Sequence, residues 1–165
     1  IIDGAHVPGH LPLNLHEIDC DVYAGALHKW LCAPKGAAFV YVRPEIQAML
    51  QPLVVSWGWE SDPGWPLVSP FIDHNEWQGT RDMAANLSVP AAIHFWCSEM
   101  APRQADCRAL AWQTRQQLEH HTGLPSLCPA DADWLGQMVS VRPRNPPYPT
   151  TMELKCGYWF GGASR

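Results

Sequence analysis

Three short motifs carry side chains that could act on one ligand. They are "DGAH" at residues 3–6, "HK" at residues 28–29 and "GTRD" at residues 79–82. Lys29 stands in an otherwise apolar stretch of a chain that has only three lysines, at positions 29, 35 and 155. Because burial of an unpaired ammonium is costly, this placement predicts a lysine that is paired, deprotonated or covalently occupied. The alternative is a lysine that extends from a strand end to solvent.

A lysine and an aspartate at neighbouring strand ends suit a pyridine ring that carries an aldehyde. The amine of Lys29 can form a Schiff base with the aldehyde, so that it holds no free ammonium. The carboxylate of Asp3 can keep the ring nitrogen protonated, which makes the ring an electron sink. The attraction between two such charges is ~4 kcal/mol at about 4 Å and an effective dielectric of about 20.

The first two motifs follow predicted strands. Strands are predicted at residues 1–3, 18–27 and 36–44 from their apolar, β-branched and aromatic content. The continuous apolar run of residues 36–44 is typical of a strand covered on both faces. In an open α/β sheet ligands bind beyond the carboxyl ends of the strands, where "DGAH" and "HK" fall.

The rest of the chain is predicted to be largely helical. Helices are predicted at residues 44–52, at 83–100 with a break at Pro90, and at 102–123. Residues 53–78 are rich in Pro, Gly and Trp, which predicts a packed loop without a helix at a subunit or domain contact. A further strand is predicted at residues 135–143, and the Pro-rich tail after it gives no clear secondary-structure signal. The sequence has no internal repeat.

The composition is that of a globular protein. Hydrophobic residues make up 47% of the 165 residues and charged residues 16%, which argues against a disordered chain. A net charge of −5 with scattered arginines gives no footprint for nucleic acid or a membrane surface, and no apolar run reaches the ~20 residues of a membrane span. Six cysteines without a Cys-x-x-Cys pair predict free thiols in a reducing, cytoplasmic setting.

The motifs together resemble the class V aminotransferase family of pyridoxal-phosphate enzymes, and its isopenicillin N epimerase-like branch in particular. The resemblance is carried by "DGAH", "LHKWLCAPKGAAFVYV" and "NEWQGTRD…LSVPAAIHF", in that order, with a weaker continuation through "GQMVSV". It implies an α/β fold of the fold-type I PLP-dependent transferase type. Residues 1–123 are then the second half of the large cofactor-binding domain, and residues 124–165 the start of a small α+β domain. We therefore expect an internal or C-terminal portion of a longer protein.

The resemblance also implies roles for individual residues. Lys29 is the Schiff-base residue for pyridoxal 5'-phosphate, Asp3 pairs with the pyridinium nitrogen and His6 contacts the phenolic oxygen of the ring. His28 contacts the cofactor phosphate. Thr80 is similar to the family's threonine that reaches across a dimer interface to the partner's cofactor phosphate, which implies a homodimer.

Two further positions bear on the implied site. Arg165 is the late arginine available to bind a substrate carboxylate. Ala26 departs from the family, which usually has a Ser or Asn phosphate donor three residues before the lysine. The family's ring-stacking residue and first phosphate-binding loop precede its "DGAH" strand.

Plainer interpretations stay open for several of these residues. Asp3 can be a strand-end turn residue, and His28 a partly buried histidine with a satisfied ring. Thr80 can cap a helix that begins near residue 81. His6 and His10 are four residues apart, but "PG" at residues 8–9 excludes a regular helix, so no metal site is predicted.

Thiols and indoles are assigned mainly to packing. Cys32 and Cys107 are predicted as core thiols and not as nucleophiles. The aromatic loop holds four tryptophans that are predicted to pack, with lining of a substrate entrance as the alternative. They are Trp57, Trp59, Trp65 and Trp77.

The sequence thus predicts a pyridoxal-phosphate-dependent enzyme acting on an amino acid or an amino-acid-like amine. Epimerase or aminotransferase chemistry of the isopenicillin N epimerase-like kind is favoured. One alternative is a cysteine desulfurase or C–S lyase of the same family, and another is a truncated fragment without catalytic activity.

Overall fold

The computed structural model describes residues 1–59 and 69–140. Contacts divide the chain into two units, one from Ile1 to Pro102 and a second that begins at Arg103. The domain boundary predicted between residues 123 and 124 stays a prediction.

The first unit contains a three-stranded mixed sheet. Strands β1 (Ile2–Asp3), β2 (Val22–Ala26) and β3 (Ala38–Val42) confirm the three predicted strands. The sheet order is β1-β2-β3, with β1 parallel to β2 and β2 antiparallel to β3. The prediction that both faces of the third strand are covered is wrong, because Val40 is 53% exposed. The side chain of Val40 instead lines two open cavities.

The segment after β1 continues the pairing with β2 and then turns back. The amide of Gly4 donates to the carbonyl oxygen of Ala24 at 2.9 Å, which extends the ladder beyond β1. The amide of Val7 donates to Gly4 O, and that of His10 to Val7 O, both at 2.9 Å. These bonds close two successive turns and make residues 4–11 a compact segment, here named the 4–11 loop.

Residues 27–37 join β2 to β3 and are here named the lysine turn. The amide of Leu27 donates to Ala37 O at 3.0 Å, and the amide of Ala33 returns to Leu27 O at 3.0 Å. Ala33 and Ala37 are buried and form a small core with Ala92. The turn is therefore anchored at both ends by main-chain bonds and by apolar contacts.

The first unit also contains several short helices, most of which follow the sheet in the chain. Residues Pro44–Met49 form a 3₁₀ helix where a helix to residue 52 was predicted. The two helices α3 (Ala84–Leu87) and α4 (Val89–Phe95) confirm the predicted break at Pro90, and a π-helical turn, Trp96–Met100, continues α4. A short helix that was not predicted, α1 (Leu15–Ile18), lies between β1 and β2.

The aromatic loop contains a helix, so the prediction of a loop throughout residues 53–78 is wrong. The helix is α2 (Pro70–Glu76). Ser69 caps it by accepting the amide of Ile72 at 3.2 Å, and proline suits the first turn. This start signal was hidden among the Pro and Trp residues around it.

The tryptophans of this loop differ in exposure. Trp59 packs against the ring of His74 with 4.7 Å between centroids, Trp57 is 53% exposed and Trp77 is half-buried. Trp65 lies outside the described residues.

The second unit is built on helix α5 (Gln104–Thr122). Gly123 ends it in the left-handed conformation with φ 69°, as predicted, and its amide donates to Glu119 O. The side chain of Arg115 is buried and donates to the carbonyl oxygens of Cys128 and Pro129 at 2.9 and 2.7 Å, which ties the following segment to the helix.

The end of the described chain is not a strand. A 3₁₀ turn, Ala132–Trp134, precedes residues 135–140, which form no strand in the structure. The other three residues of the strand predicted at 135–143 lie outside the described part. The five cysteines in the described ranges carry free thiols, and Cys32 is exposed, which corrects its assignment to the core. Within residues 1–59 and 69–140, no helix is long and apolar enough to cross a membrane.

Gly9 lets the 4–11 loop approach the lysine turn closely. It adopts φ +78°, and a Cβ atom there would lie 2.6 Å from the carbonyl carbon and oxygen of Trp30. These are backbone atoms, which a rotamer change cannot move aside. Only glycine therefore permits this contact between the two segments.

We expect Gly9→Ala to lower the free energy of unfolding more than Gly36→Ala. Gly36 also has positive φ, at +97°, but no atom lies within 4 Å of the position that a Cβ atom would take there, so its replacement adds only backbone strain of about 1–2 kcal/mol. Gly9→Ala adds the overlap with Trp30, which costs a further ~1–3 kcal/mol. Chemical denaturation of both variants measures the difference, and equal losses would show that the close approach is not needed.

Candidate active site

The parallel pairing of β1 and β2 places the two chemical motifs at one edge of the sheet. Asp3 is the last residue of β1 and pairs with Ala24, while β2 ends at Ala26 and Lys29 follows three residues later. The predicted location of both motifs beyond the carboxyl ends of strands is thereby confirmed. One carboxylate oxygen of Asp3 accepts the amide of Ala5 at 3.0 Å, so Asp3 also serves as a turn residue.

Lys29 is exposed, which agrees with the alternative of a lysine that extends to solvent, and its pairing or covalent occupation stays a prediction. Strand β2 ends before the lysine, and the apolar run around Lys29 is a turn whose buried members are Ala33 and Ala37. The carbonyl of Lys29 accepts the amide of Cys32 at 3.2 Å, which fixes the backbone of the turn. The amine is therefore carried on an anchored backbone and can be reached from solvent.

The ring of His6 lies in the electric field of both other groups. The pKa of His6 is lowered from its ordinary value of 6.5, first by burial and then by the positive charge of Lys29, while the charge of Asp3 opposes the shift. The charges of Lys29 and Asp3 therefore both act on the protonation of the His6 ring. The indole Nε1 of Trp30 donates to Nδ1 of His6 at 3.4 Å.

The ring of His28 is held beside Lys29 by the main chain. Its Nδ1 donates to the carbonyl oxygen of Ala37 at 3.0 Å, and the residue is half-buried. For Nδ1, this bond agrees with the interpretation of His28 as a partly buried histidine with a satisfied ring. It also fixes the orientation of the ring and therefore the position of Nε2. Ala26, which replaces the family's usual phosphate donor, is buried at the end of β2 and pairs with Ala38.

Side-chain hydrogen bonds join the third motif to the residues that follow it, Met83 and Ala84. Thr80 is exposed, and the helix that follows begins at Ala84, not near residue 81. The N-cap position of this helix is Met83, and the side chain of Asp82 just before it accepts the amide of Ala84 at 2.8 Å, so the capping role considered for Thr80 is wrong. Thr80 as a phosphate ligand stays a prediction, and Arg165 lies outside the described residues.

Trp30 and His10 also lie around His6, and neither was assigned a role at the coenzyme from the sequence. The ring of His10 is buried and stacks on Trp30, with 4.3 Å between centroids and 17° between planes. Nδ1 of His10 donates to the backbone oxygen of His6 at 3.1 Å. The spacing of His6 and His10 raises the question of a metal pair, but no local sequence pattern links either histidine to Trp30.

No metal cluster marks this site among the residues that the structure describes. In the part of the chain that the structure describes, no group of three or more His, Cys, Asp or Glu could hold a metal ion. Open cavities of ≈ 530 and ≈ 630 Å³ instead line β3 and α2, with Val40, Phe71 and Ile72 in the walls of both.

Comparison with known proteins identifies the family. The family described as Aminotransferase class-V matches residues 1–145. The chain belongs to this family. The predicted membership is thereby confirmed over most of the chain's length.

Named relatives of this class-V aminotransferase chain differ in activity. The chain is 37% identical over 169 residues to isopenicillin N epimerase from Streptomyces clavuligerus, which covers 96% of this chain and 42% of that protein. It is 32% identical over 99 residues to an L-cysteine desulfhydrase from Arabidopsis thaliana, which covers 57% of this chain and 19% of the relative. The chain thus spans less than half the length of the curated relatives it matches.

A solved structure shares the fold. The apo structure of cysteine desulfurase from Thermococcus onnurineus NA1 matches 88% of this chain and 37% of its own, with a TM-score of 0.69 and 20% identity. This similarity confirms the predicted α/β fold of the fold-type I PLP-dependent transferase type.

The lowered pKa of His6 predicts a pH dependence of stability. The unfolded chain binds a proton at His6 more readily than the folded chain does, so the unfolding free energy falls as the pH drops below about 6.5. The stability is present above that value and is lost as the pH falls toward the lowered folded pKa. We expect His6→Gln to flatten this part of the curve.

Denaturant titrations between about pH 7 and about pH 5 measure the slope. The matching variant His16→Gln removes an exposed histidine of α1, and the difference between the two variants isolates the effect of burial and of Lys29 on His6. Equal slopes for the two variants would contradict the expectation.

Proposed function

We propose that the protein is a pyridoxal-5'-phosphate-dependent enzyme that acts on an amino acid or an amino-acid-like amine, with epimerase or aminotransferase chemistry. Membership of the class-V aminotransferase family supports this function. The observation that carries it is the parallel pairing of β1 with β2, which places Asp3 and the turn that holds Lys29 at one edge of the sheet. These two groups are what a pyridine aldehyde needs at its two reactive ends.

The donor set fits the coenzyme group by group. Lys29 Nζ would bond the aldehyde carbon, and the Asp3 carboxylate would face the ring nitrogen. His6 would donate to the phenolic oxygen, since its Nδ1 already accepts from Trp30 and the ring hydrogen is left for Nε2. His28 would contact the phosphate through Nε2, because its Nδ1 is occupied by Ala37 O.

The coenzyme supplies an electron sink for negative charge at the α-carbon of the substrate. Asp3 maintains this sink by keeping the ring nitrogen protonated. Lys29, once its amine is free, removes the proton at the substrate α-carbon and returns it, as a general base and then a general acid. The exposure of Lys29 lets the amine reach a substrate, and the anchored backbone of the lysine turn limits where it can go.

We extend the proposal to the assembly and the outer parts of the site. Thr80 reaches the cofactor phosphate of a partner subunit in a homodimer, which its exposure permits. Arg165 binds the carboxylate of the substrate. Residues 124–165 begin a small domain, and the protein is cytoplasmic.

A second candidate function is release of sulfur from cysteine or a related C–S compound. The similarity to an L-cysteine desulfhydrase favours it, but that similarity covers 57% of the chain, whereas the epimerase similarity covers 96%. The same Lys29 and Asp3 would serve either reaction. The two functions therefore differ in substrate contacts outside these two residues.

We expect Lys29→Ala to abolish covalent attachment of the coenzyme. The full-length variant, mixed with pyridoxal 5'-phosphate, should lack the absorbance band near the visible edge and should hold no coenzyme after borohydride reduction, as read by peptide mass. Activity should fall by about 10²–10⁴-fold, the usual share of a general base. Lys35→Ala, which removes another exposed lysine of the same turn, should keep the band and the activity. Coenzyme fixed equally well to the Lys29→Ala protein would overturn the assignment.

A substrate comparison separates the candidate functions. We expect the full-length protein in deuterated buffer to exchange the α-hydrogen of isopenicillin N and to release no sulfide from L-cysteine. Sulfide and pyruvate from L-cysteine would favour the desulfhydrase function instead. A titration with pyridoxal 5'-phosphate that gives no spectral change would favour a protein without catalytic activity.

A further inference from the structure

His6 is held by a group of aromatic side chains that the proposed chemistry does not itself use. Trp30 donates to its ring, and His10 both stacks on Trp30 and donates to the backbone of His6. The three residues come from the 4–11 loop and the lysine turn, which are separate in sequence. They form one connected set, which we name the His6 support.

The hydrogen bond from Trp30 decides which nitrogen of His6 carries the hydrogen. An indole N–H can only donate, so Nδ1 of His6, at 3.4 Å, must accept. A neutral imidazole has one N–H, and with Nδ1 as the acceptor that hydrogen is on Nε2. The lowered pKa of His6, caused by burial and Lys29 and opposed by Asp3, favours the neutral ring that this arrangement requires.

Further contacts fix the position of the indole. The His10 ring, only 8% exposed, lies 4.3 Å from the Trp30 ring with 17° between the planes. Gly9 brings the loop backbone against Trp30, and Trp96 Nε1 donates to Gly9 O at 3.0 Å. The donor nitrogen of Trp30 thus has little freedom to turn away from His6.

We propose that Trp30 and His10 are positioning residues that fix His6 as the Nε2–H tautomer, so that Nε2 donates to the phenolic oxygen of a pyridine coenzyme. The coenzyme part rests on the proposed function, whereas the tautomer is a property of the protein by itself. Trp30, the residue directly after the proposed coenzyme lysine, then couples the orientation of His6 to that of the lysine turn. Neither Trp30 nor His10 touches the reacting atoms in this scheme.

The tautomer can be measured in the full-length protein before any coenzyme is added. Long-range ¹H–¹⁵N spectra of ¹⁵N-histidine-labelled protein, with His6 assigned through His6→Gln, should show a protonated Nε2 and an acceptor Nδ1. Trp30→Phe keeps an aromatic face for His10 but has no N–H, and the two ¹⁵N shifts of His6 should move toward each other. Retention of the wild-type shifts in Trp30→Phe would overturn the proposal.

Trp96→Phe is the matched control, because it also removes an indole hydrogen bond to the 4–11 loop but leaves the bond to His6. We expect it to preserve the His6 shifts and to change the dissociation constant for pyridoxal 5'-phosphate less than twofold, against a rise of up to about tenfold for Trp30→Phe, the value of one hydrogen bond. The same shift change in both variants would also overturn the proposal.

A third protein covers the case in which Trp30→Phe does not fold. Replacement of Trp30 by 3-benzothienylalanine keeps the shape of the indole and removes only its N–H, and it should alter the His6 shifts as Trp30→Phe does. Should the wild-type protein bind no coenzyme, the proposed function fails, while the ¹⁵N spectra still decide the role of Trp30.

Discussion

The close approach of the 4–11 loop to the lysine turn is the constraint on which the site depends. Parallel pairing of β1 with β2, continued by the bond from Gly4 N to Ala24 O, brings the two segments to one edge of the sheet. The missing side chain of Gly9 then lets backbone meet backbone at Trp30. Without this contact, the segment that carries His6 would not be held against the turn that carries Lys29.

His6 shows what this contact achieves in chemical terms. It receives a hydrogen bond from the residue next to the lysine and is influenced by the charges of Lys29 and Asp3. A neutral ring with one acceptor and one donor nitrogen suits an environment where a second positive charge would be costly. Asp3 and Lys29 are exposed, whereas His6 is half-buried. The imidazole is therefore the part of the site that the fold holds most firmly, and the two charged groups face solvent.

Sequence reasoning succeeded where the signal was local and failed where it depended on neighbours. The three strands, the break at Pro90 and the helix end at Gly123 follow from apolar runs, proline and glycine, and the structure confirms them. The exposure of Lys29 could not be decided from its apolar neighbours, because an apolar run can form a turn as well as a strand. Helix α2 was missed since its cap, Ser69, lies among residues that usually break helices.

The sequence by itself determined the family, and the order and spacing of the motifs around Asp3, Lys29 and Thr80 predicted the chemistry of the site. Only the tertiary structure decided that Trp30 and His10 hold His6, and which nitrogen of His6 accepts. The physical reason is that a hydrogen bond and a ring stack depend on distance and direction in space. Residues 6 and 30 acquire both only when β1 and β2 pair.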